Sequence, residues 1–161
     1  MEHAPSTPSA CAGSPVDNRA ASADTRATAT TGSAASPRVA LVTGAGKRLG
    51  RAIALALAQD GWDIGVHCRD SVAEAEQTVE EIRALGRRAV VLQADLDDAA
   101  QCQTLVPRLA DALDPVSGLV NSASRFEYDD IRSFTPESLQ QHLVPNLMAP
   151  LLLAQSLASQ L

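Results

Sequence analysis

Aromatic residues are scarce: one Trp, one Tyr and two Phe among 161 residues. The core must therefore come from Ala, Leu and Val, which dominate a hydrophobic content of 45%. Lysine is scarcer still. The only one, Lys47, precedes the only Tyr, Tyr128, so any chemistry needing a Tyr followed closely by a Lys is absent from these residues. Cys11, Cys68 and Cys102 are odd in number and dispersed, giving neither a disulfide framework nor the ligand spacing of a metal site. Reduced thiols in a cytoplasmic protein are the expectation. Positive charge is in deficit, with 13 Lys and Arg against 19 Asp and Glu and a net charge of −6, which disfavours nucleic acid as a partner. Long apolar runs are missing. The longest, Ala52–Ala58 and Leu147–Ala154, fall well short of the roughly 20 residues of a membrane span, so no membrane partner is expected.

Residues 1–37 form a separate region. They hold ten Ala, six Ser, five Thr and four Pro, and Val16 is their only large aliphatic residue besides Met1. Such a segment cannot bury enough surface to offset its ordering entropy, so a disordered tail is expected. It lacks the apolar stretch of a secretory signal, and Glu2, Asp17 and Asp24 do not suit an organelle transit peptide. A linker and a start codon placed upstream of the true one both remain open.

From Arg38 onward strands and helices alternate. Val39–Val42 reads as a strand ending at a Thr43-Gly44 turn. Leu49–Asp60 reads as a helix closed by Gly61, and Trp62–His67 as a second strand. Ser71–Leu85 is an amphipathic helix, and Ala89–Ala94 a strand apolar on both faces, as a buried parallel strand is. Asp97–Leu113 is a helix kinked at Pro107, Val116–Val120 a fourth strand, and Glu137–Leu161 a helical stretch interrupted at Pro145 and Pro150. The order predicts an α/β fold over residues 38–161: a Rossmann-type, doubly wound parallel sheet, incomplete at its first four βα units.

The first strand runs directly into Thr43-Gly44-Ala45-Gly46-Lys47-Arg48-Leu49-Gly50 and then a helix. Glycines there allow a tight turn and close approach of backbone to a pyrophosphate, and the helix N-terminus adds N–H groups and partial positive charge. Placed between strand and helix at the start of a βαβ series, this loop is a strong dinucleotide signal. The second strand ends Val66-His67-Cys68-Arg69-Asp70-Ser71. An acid at this point would bind a ribose 2′-hydroxyl, whereas a basic residue suits a 2′-phosphate. Cys68 stands near the acid's place and Arg69 follows; Lys47 and Arg48 add positive charge opposite. NADP(H) is the expected cofactor. Asp70 dissents, and its simpler role is to cap the next helix with Ser71. His67 and His142 read as a strand-end residue and a helix-surface residue.

Four motifs in order make residues 38–161 resemble the N-terminal half of a short-chain dehydrogenase/reductase. They are the Thr43-Gly44 loop, Ala94-Asp95-Leu96 after the third strand, Leu119-Val120-Asn121-Ser122-Ala123-Ser124 after the fourth, and Asn146 in the long helix. The resemblance implies that Gly44, Lys47, Arg48, Leu49, Gly50, Arg69, Ser71, Asp95, Leu96, Asn121, Ala123 and Ser124 meet the cofactor. Asp95 would contact the adenine, and Asn146 would support the active site through a bound water. Ser122 replaces the family's second Asn, and Pro145 precedes Asn146 inside a helix. Within the family the chain looks most like pteridine reductases, which have Arg in a Lys-Arg-Leu-Gly setting and read Asn-Asn-Ala-Ser-x-Phe after the fourth strand. By that match Ser124 would bind pterin and cofactor phosphate, and Phe126 would stack on the pterin ring. A loop aromatic covering the sheet edge is the simpler role for Phe126, and an exposed loop residue that for Arg125.

The resemblance also shows what is missing. The family's hydride transfer uses a Ser or Asp, then a Tyr with a Lys four residues on. Tyr128 has Arg132 at that spacing and lies in a loop, so it is no substitute. The expectation is an NADPH-dependent reductase of a pterin or dihydrofolate-like small molecule, present as a truncated chain whose apolar end looks cut. Alternatives are a non-catalytic dinucleotide-binding module, a gene remnant, or a fragment of a generic keto (3-oxoacyl) reductase. The family pairs through its fourth and fifth helices, so a homo-oligomer is implied for the full-length form.

Overall fold

Val39 to Val42 are all buried, as a strand covered on both faces must be. In the computed structural model, which describes residues 38–160, this strand is β1 (Val39–Val42). The tail expected at 1–37 lies outside the described residues. After β1 come α1 (Arg48–Gln59), β2 (Asp63–Cys68), α2 (Val72–Ala84), β3 (Ala89–Gln93), α3 (Ala99–Ala112) and β4 (Gly118–Val120). Then come α4 (Pro136–Leu143), a π-helical turn at Val144–Met148, and α5 (Ala149–Ala158). The strands form one parallel sheet in the order β3-β2-β1-β4. This is the Rossmann-type α/β arrangement that the alternation predicted.

The two-residue period of β1 sorts the core into two layers. Val39 and Leu41 pack with Leu105, Val106 and Leu109 of α3 and Leu153 of α5. Ala40 and Val42 pack, with Ile64 and Val66 of β2, against Ala54 and Ala58 of α1 and Val79 and Ile82 of α2. Small alanines let α1 lie close to the sheet, which is how a core so poor in aromatics fills its volume.

Two expectations need correction. β3 is the sheet's edge, so Val90 and Val91 are only half-buried, although Ala89 and Leu92 are buried on opposite faces, one in each core layer. β4 is three residues long, because Val116 and Ser117 lie outside the ladder. The interruption expected at Pro145 and Pro150 is present, since α4 stops at Leu143 and α5 begins at Ala149. It takes the form of a π turn, in which the Ala149 N–H bonds to the Val144 carbonyl five residues back. The wider turn accommodates a residue that has no N–H to donate. Helix α3 continues through Pro107 from Ala99 to Ala112.

The lower end of the sheet is tied by a buried carboxylate. Asp63, 2% exposed, accepts from Arg87 Nη2 at 2.6 Å, Arg88 Nε at 2.7 Å and the Arg88 amide at 3.0 Å. Arg88 also reaches Asp114 beyond α3. Burial by itself pushes the Asp63 carboxyl up, but the Arg88 amide and guanidinium, with Arg87, outweigh it and hold it below its ordinary value.

Candidate functional site

The carboxyl ends of the parallel strands open together onto a cleft of about 910 Å³. The order β3-β2-β1-β4 places β2 on one side of β1 and β4 on the other, so the chain reverses direction across β1. Such a switch point is where open α/β sheets bind ligands.

Thr43 is the joint between the two sides. Its hydroxyl is buried, accepts from the Ser122 and Ala123 amides at 3.0 Å each, and lies 3.4 Å from the Val120 carbonyl, to which it donates. This locks the loop after β1 to the loop after β4. Gly44 follows at φ +65, and a Cβ there would fall 3.0 Å from Ala123 Cα. A Cβ on Gly50 would stand 2.3 Å from the Gly44 carbonyl oxygen. The first turn of α1 therefore sits directly on the loop, which brings its free N–H groups to the cleft.

His67 holds the same loop from the β2 side and is 2% exposed. The Gly44 amide donates to its Nδ1 at 3.2 Å, and the Ala45 amide donates to its carbonyl at 2.9 Å. An amide can only donate, so Nδ1 must carry the lone pair. The proton is then on Nε2, which donates to the Ala94 carbonyl at 3.1 Å. Burial holds this imidazole below its ordinary pKa; the bond to Ala94 pulls the other way. His67 is thus a buried connector and more than a strand-end residue.

Four cations line the cleft, and three are paired. Lys47 Nζ lies 2.6 Å from Glu74, Arg69 Nε 2.7 Å from Asp70, and Arg125 Nη2 2.6 Å from Asp97. Among the described residues Arg48 is the cleft cation without a carboxylate partner. Its φ is +49, in the left-handed region that favours Gly. A Gly would adopt that conformation without strain, whereas the Arg48 side chain adopts it at a cost. Asp70 and Ser71 do not cap α2 as expected. Ser71 stands at the N-cap position without a side-chain cap bond, and Asp70 turns to Arg69. The Ser71 hydroxyl faces Gly46 instead, within the cleft wall.

The far wall is the segment after β4. Asn146 fixes it: its Oδ1 accepts from the Arg125 amide at 2.8 Å, and its Nδ2 donates to the Arg125 carbonyl at 2.7 Å. Arg125 is therefore held at both backbone and side chain, and is no free loop residue. His142 is a second clamp, with Nδ1 donating to the Ser138 carbonyl and Nε2 accepting from the Glu127 amide at 3.0 Å. Phe126 is 82% exposed and meets the His142 ring edge-on, with 6.2 Å between centroids. At that exposure it does not cover the sheet edge. Tyr128 is 85% exposed and does not line the cleft.

Of the sequence-predicted residues, the cleft gathers Gly44, Lys47, Arg48, Leu49, Gly50, Arg69, Ser71, Asp95, Leu96, Ala123, Ser124 and Phe126. Asn121, exposed beyond β4, and Asn146 are not in its lining. Asp95 accepts the Asp97 amide at 3.0 Å and so shapes the loop that carries it. Sequence reasoning missed the linking roles of Thr43, His67, His142 and the Arg125–Asp97 pair. One signal was available: a histidine inside an otherwise apolar central strand must find partners there.

A glycine loop, a hydroxyl joint and an unpaired cation thus meet at the switch point of a parallel sheet, where open α/β sheets bind ligands. The family is the short chain dehydrogenases, whose model matches residues 38–161, and the chain belongs to it. It is 36% identical over 124 residues to an uncharacterized oxidoreductase of Methylorubrum extorquens, covering 77% of this chain and 50% of the relative. It is 36% identical over 107 residues to the 3-oxoacyl-[acyl-carrier-protein] reductase FabG of Aggregatibacter actinomycetemcomitans, covering 66% and 44%. Among solved structures it superposes on FolM alternative dihydrofolate reductase 1 of Brucella suis in complex with NADP. The TM-score is 0.73 and the identity 33%, over 77% of this chain and 51% of that one. A short chain dehydrogenase of Burkholderia cenocepacia, also with NADP, gives 0.73 and 35% over 76% and 50%. The chain spans about half the length of the relatives it matches. Among the described residues no helix is long and apolar enough to cross a membrane.

Proposed function

We propose that this chain supplies the cofactor half of an NADPH-dependent short-chain reductase, and that the substrate is a flat pterin or dihydrofolate-like heterocycle. One observation carries the reading. A single cleft holds the glycine loop, the unpaired Arg48, Arg69 and Ser71 after β2, Asp95 and Leu96 after β3, and Ser124 and Phe126 after β4. The donor set fits the dinucleotide. Amides at the start of α1 suit the pyrophosphate, and Arg48, Arg69 and the Ser71 hydroxyl suit a 2′-phosphate. When bound, NADPH supplies the hydride. Ser124 and the exposed Phe126 ring would orient a planar substrate beside it. Asn146 acts on this wall by fixing Arg125, the residue between them. The proton-donating Tyr and its Lys are not provided by these 161 residues.

Titrating the chain with NADPH and NADH tests the cofactor reading. NADPH binding at least tenfold tighter is expected, with the preference lost in Arg48→Ala. Equal binding of both would overturn it. The substrate is tested on the enzyme isolated from its source cells, by following NADPH oxidation with a quinonoid dihydropteridine, dihydrofolate and a 3-oxoacyl thioester. Turnover of the heterocycles alone supports the reading. Turnover of the thioester alone replaces it with the keto-reductase alternative, which the likeness to the Aggregatibacter reductase favours.

A further inference from the structure

We propose that His67 is the positioning residue of the cofactor loop and makes dinucleotide affinity fall in acid. The ligand part rests on the NADPH reading above; the loop part does not. One neutral ring makes two bonds of opposite sense, accepting from Gly44 at Nδ1 and donating to Ala94 at Nε2. Those partners stand on the two loops that face each other across the end of β2. The imidazole is thereby a fixed-length strut between the loop after β1 and the end of β3. Its backbone carbonyl takes the next amide, Ala45, so the turn is held at consecutive residues. The steric chain continues from there, since the Gly44 carbonyl is the atom on which Gly50 and the first turn of α1 rest.

Protonation breaks the strut at one end only. Imidazolium carries N–H at both nitrogens, so Nδ1 would point a proton at the Gly44 amide proton. The Ala94 bond survives, and the Gly44 bond becomes a repulsion. The loop must then turn away, and the α1 terminus loses its seat. Among the described residues the charges acting on the ring are Arg108 of α3, which opposes protonation, and Asp95 after β3, which favours it. Burial and Arg108 keep the strut intact at neutral pH, so release belongs below the ordinary imidazole range.

His67→Gln is the informative variant. A glutamine amide offers an oxygen acceptor and an N–H donor on one planar group, and it does not titrate in this range. The full chain without cofactor is followed by amide hydrogen exchange, with the protection factor of Gly44 taken between pH 7.5 and 5. NADPH dissociation constants are measured over the same range. In the wild type, Gly44 protection is expected to fall at least tenfold toward pH 5, and NADPH affinity to fall with it. In His67→Gln both should stay flat. Protection that is flat with pH in the wild type, or that falls equally in His67→Gln, would overturn the proposal. Should the variant not fold, the wild-type imidazole ¹⁵N shifts decide: an Nε2–H tautomer that charges as Gly44 protection drops supports the strut, and any other order refutes it. Absence of NADPH binding at every pH would sink the cofactor reading and leave the Gly44 result standing.

Discussion

Gly50→Ala sets two effects of similar kind but unequal size against each other. In a helix, Ala is favoured over Gly by about 1 kcal/mol, less in the first turn. Propensity alone therefore predicts stabilisation. The structure predicts the reverse. The new methyl would lie 2.3 Å from the Gly44 carbonyl oxygen, 2.8 Å from its carbon and 3.1 Å from Ala45 Cα. Ordinary carbon–oxygen contacts begin at roughly 3.3 Å, so loop and helix must separate by about 1 Å. The obstacle is backbone, and that backbone is already held by His67 and Thr43 through Gly44 and Ala123. Overpacking of this kind costs about 1–3 kcal/mol, which exceeds the propensity gain. The net loss should be up to about 2 kcal/mol, read as a lower urea midpoint at unchanged slope. The same 1 Å displaces the amides that would bind pyrophosphate, so NADPH affinity should fall by at least tenfold. Gly86→Ala is the control. Its φ is +77 and nothing lies within 4 Å of the added methyl, so it carries only the left-handed strain and leaves NADPH binding alone. A Gly50→Ala chain as stable as the wild type, binding NADPH within threefold of it, would refute the packing of α1 on the loop.

Thr43→Val deprives the Ser122 and Ala123 amides of their shared acceptor and should lower stability by about 2–4 kcal/mol in urea unfolding, with Thr43→Ser restoring most of it. Arg48→Gly relieves a left-handed conformation, so stability should hold or rise by up to about 1 kcal/mol while the NADPH-over-NADH preference falls at least tenfold; a stability loss above that size would mean Arg48 is not strained. Asp63→Asn should cost about 2–4 kcal/mol at neutral pH, discounted from a fully buried pair because Arg87 and Arg88 are partly solvated. The Asp63 carboxyl is held below its unfolded value, so its contribution is present above about pH 4 and lost as pH falls through the lower folded value. The gap between wild type and Asp63→Asn should therefore close in acid, and a gap that widens there would reverse the assignment.

Much of the fold was legible because its signals are local and periodic. The all-apolar Val39–Val42 followed by Thr43-Gly44, and the helix stops at Gly61 and Gly86, each report the chain's own conformational limits; both glycines adopt positive φ. How deeply β3 is buried was misjudged for a nonlocal reason. Whether Ala89–Gln93 is central or at an edge depends on sheet order, and an apolar composition does not encode its neighbours. The π turn at Val144–Met148 was hidden for a related reason. Pro145 announces a lost donor, but whether the chain kinks or widens depends on what must be reached afterwards. Here the Asn146 amide clasps both backbone groups of Arg125, twenty-one residues earlier.

The candidate site divides along the same line. Residues that offer chemistry to a ligand are read from type and spacing, as Arg48, Ser71 and Ser124 were. Residues that hold those groups in place are read only from contacts. Lys47 shows the difference: by sequence it is one more positive charge for a phosphate, yet its ammonium is already matched by Glu74 at 2.6 Å. Arg69 is likewise matched by Asp70, the residue that looked like the argument against a phosphate. Pairing does not remove either cation from the cleft, since an exposed ion pair contributes little and can be exchanged for a doubly charged phosphate. It does rank them. Arg48, strained and without a partner, has the most to gain from a bound anion, and discrimination between the two nucleotides should depend on it first.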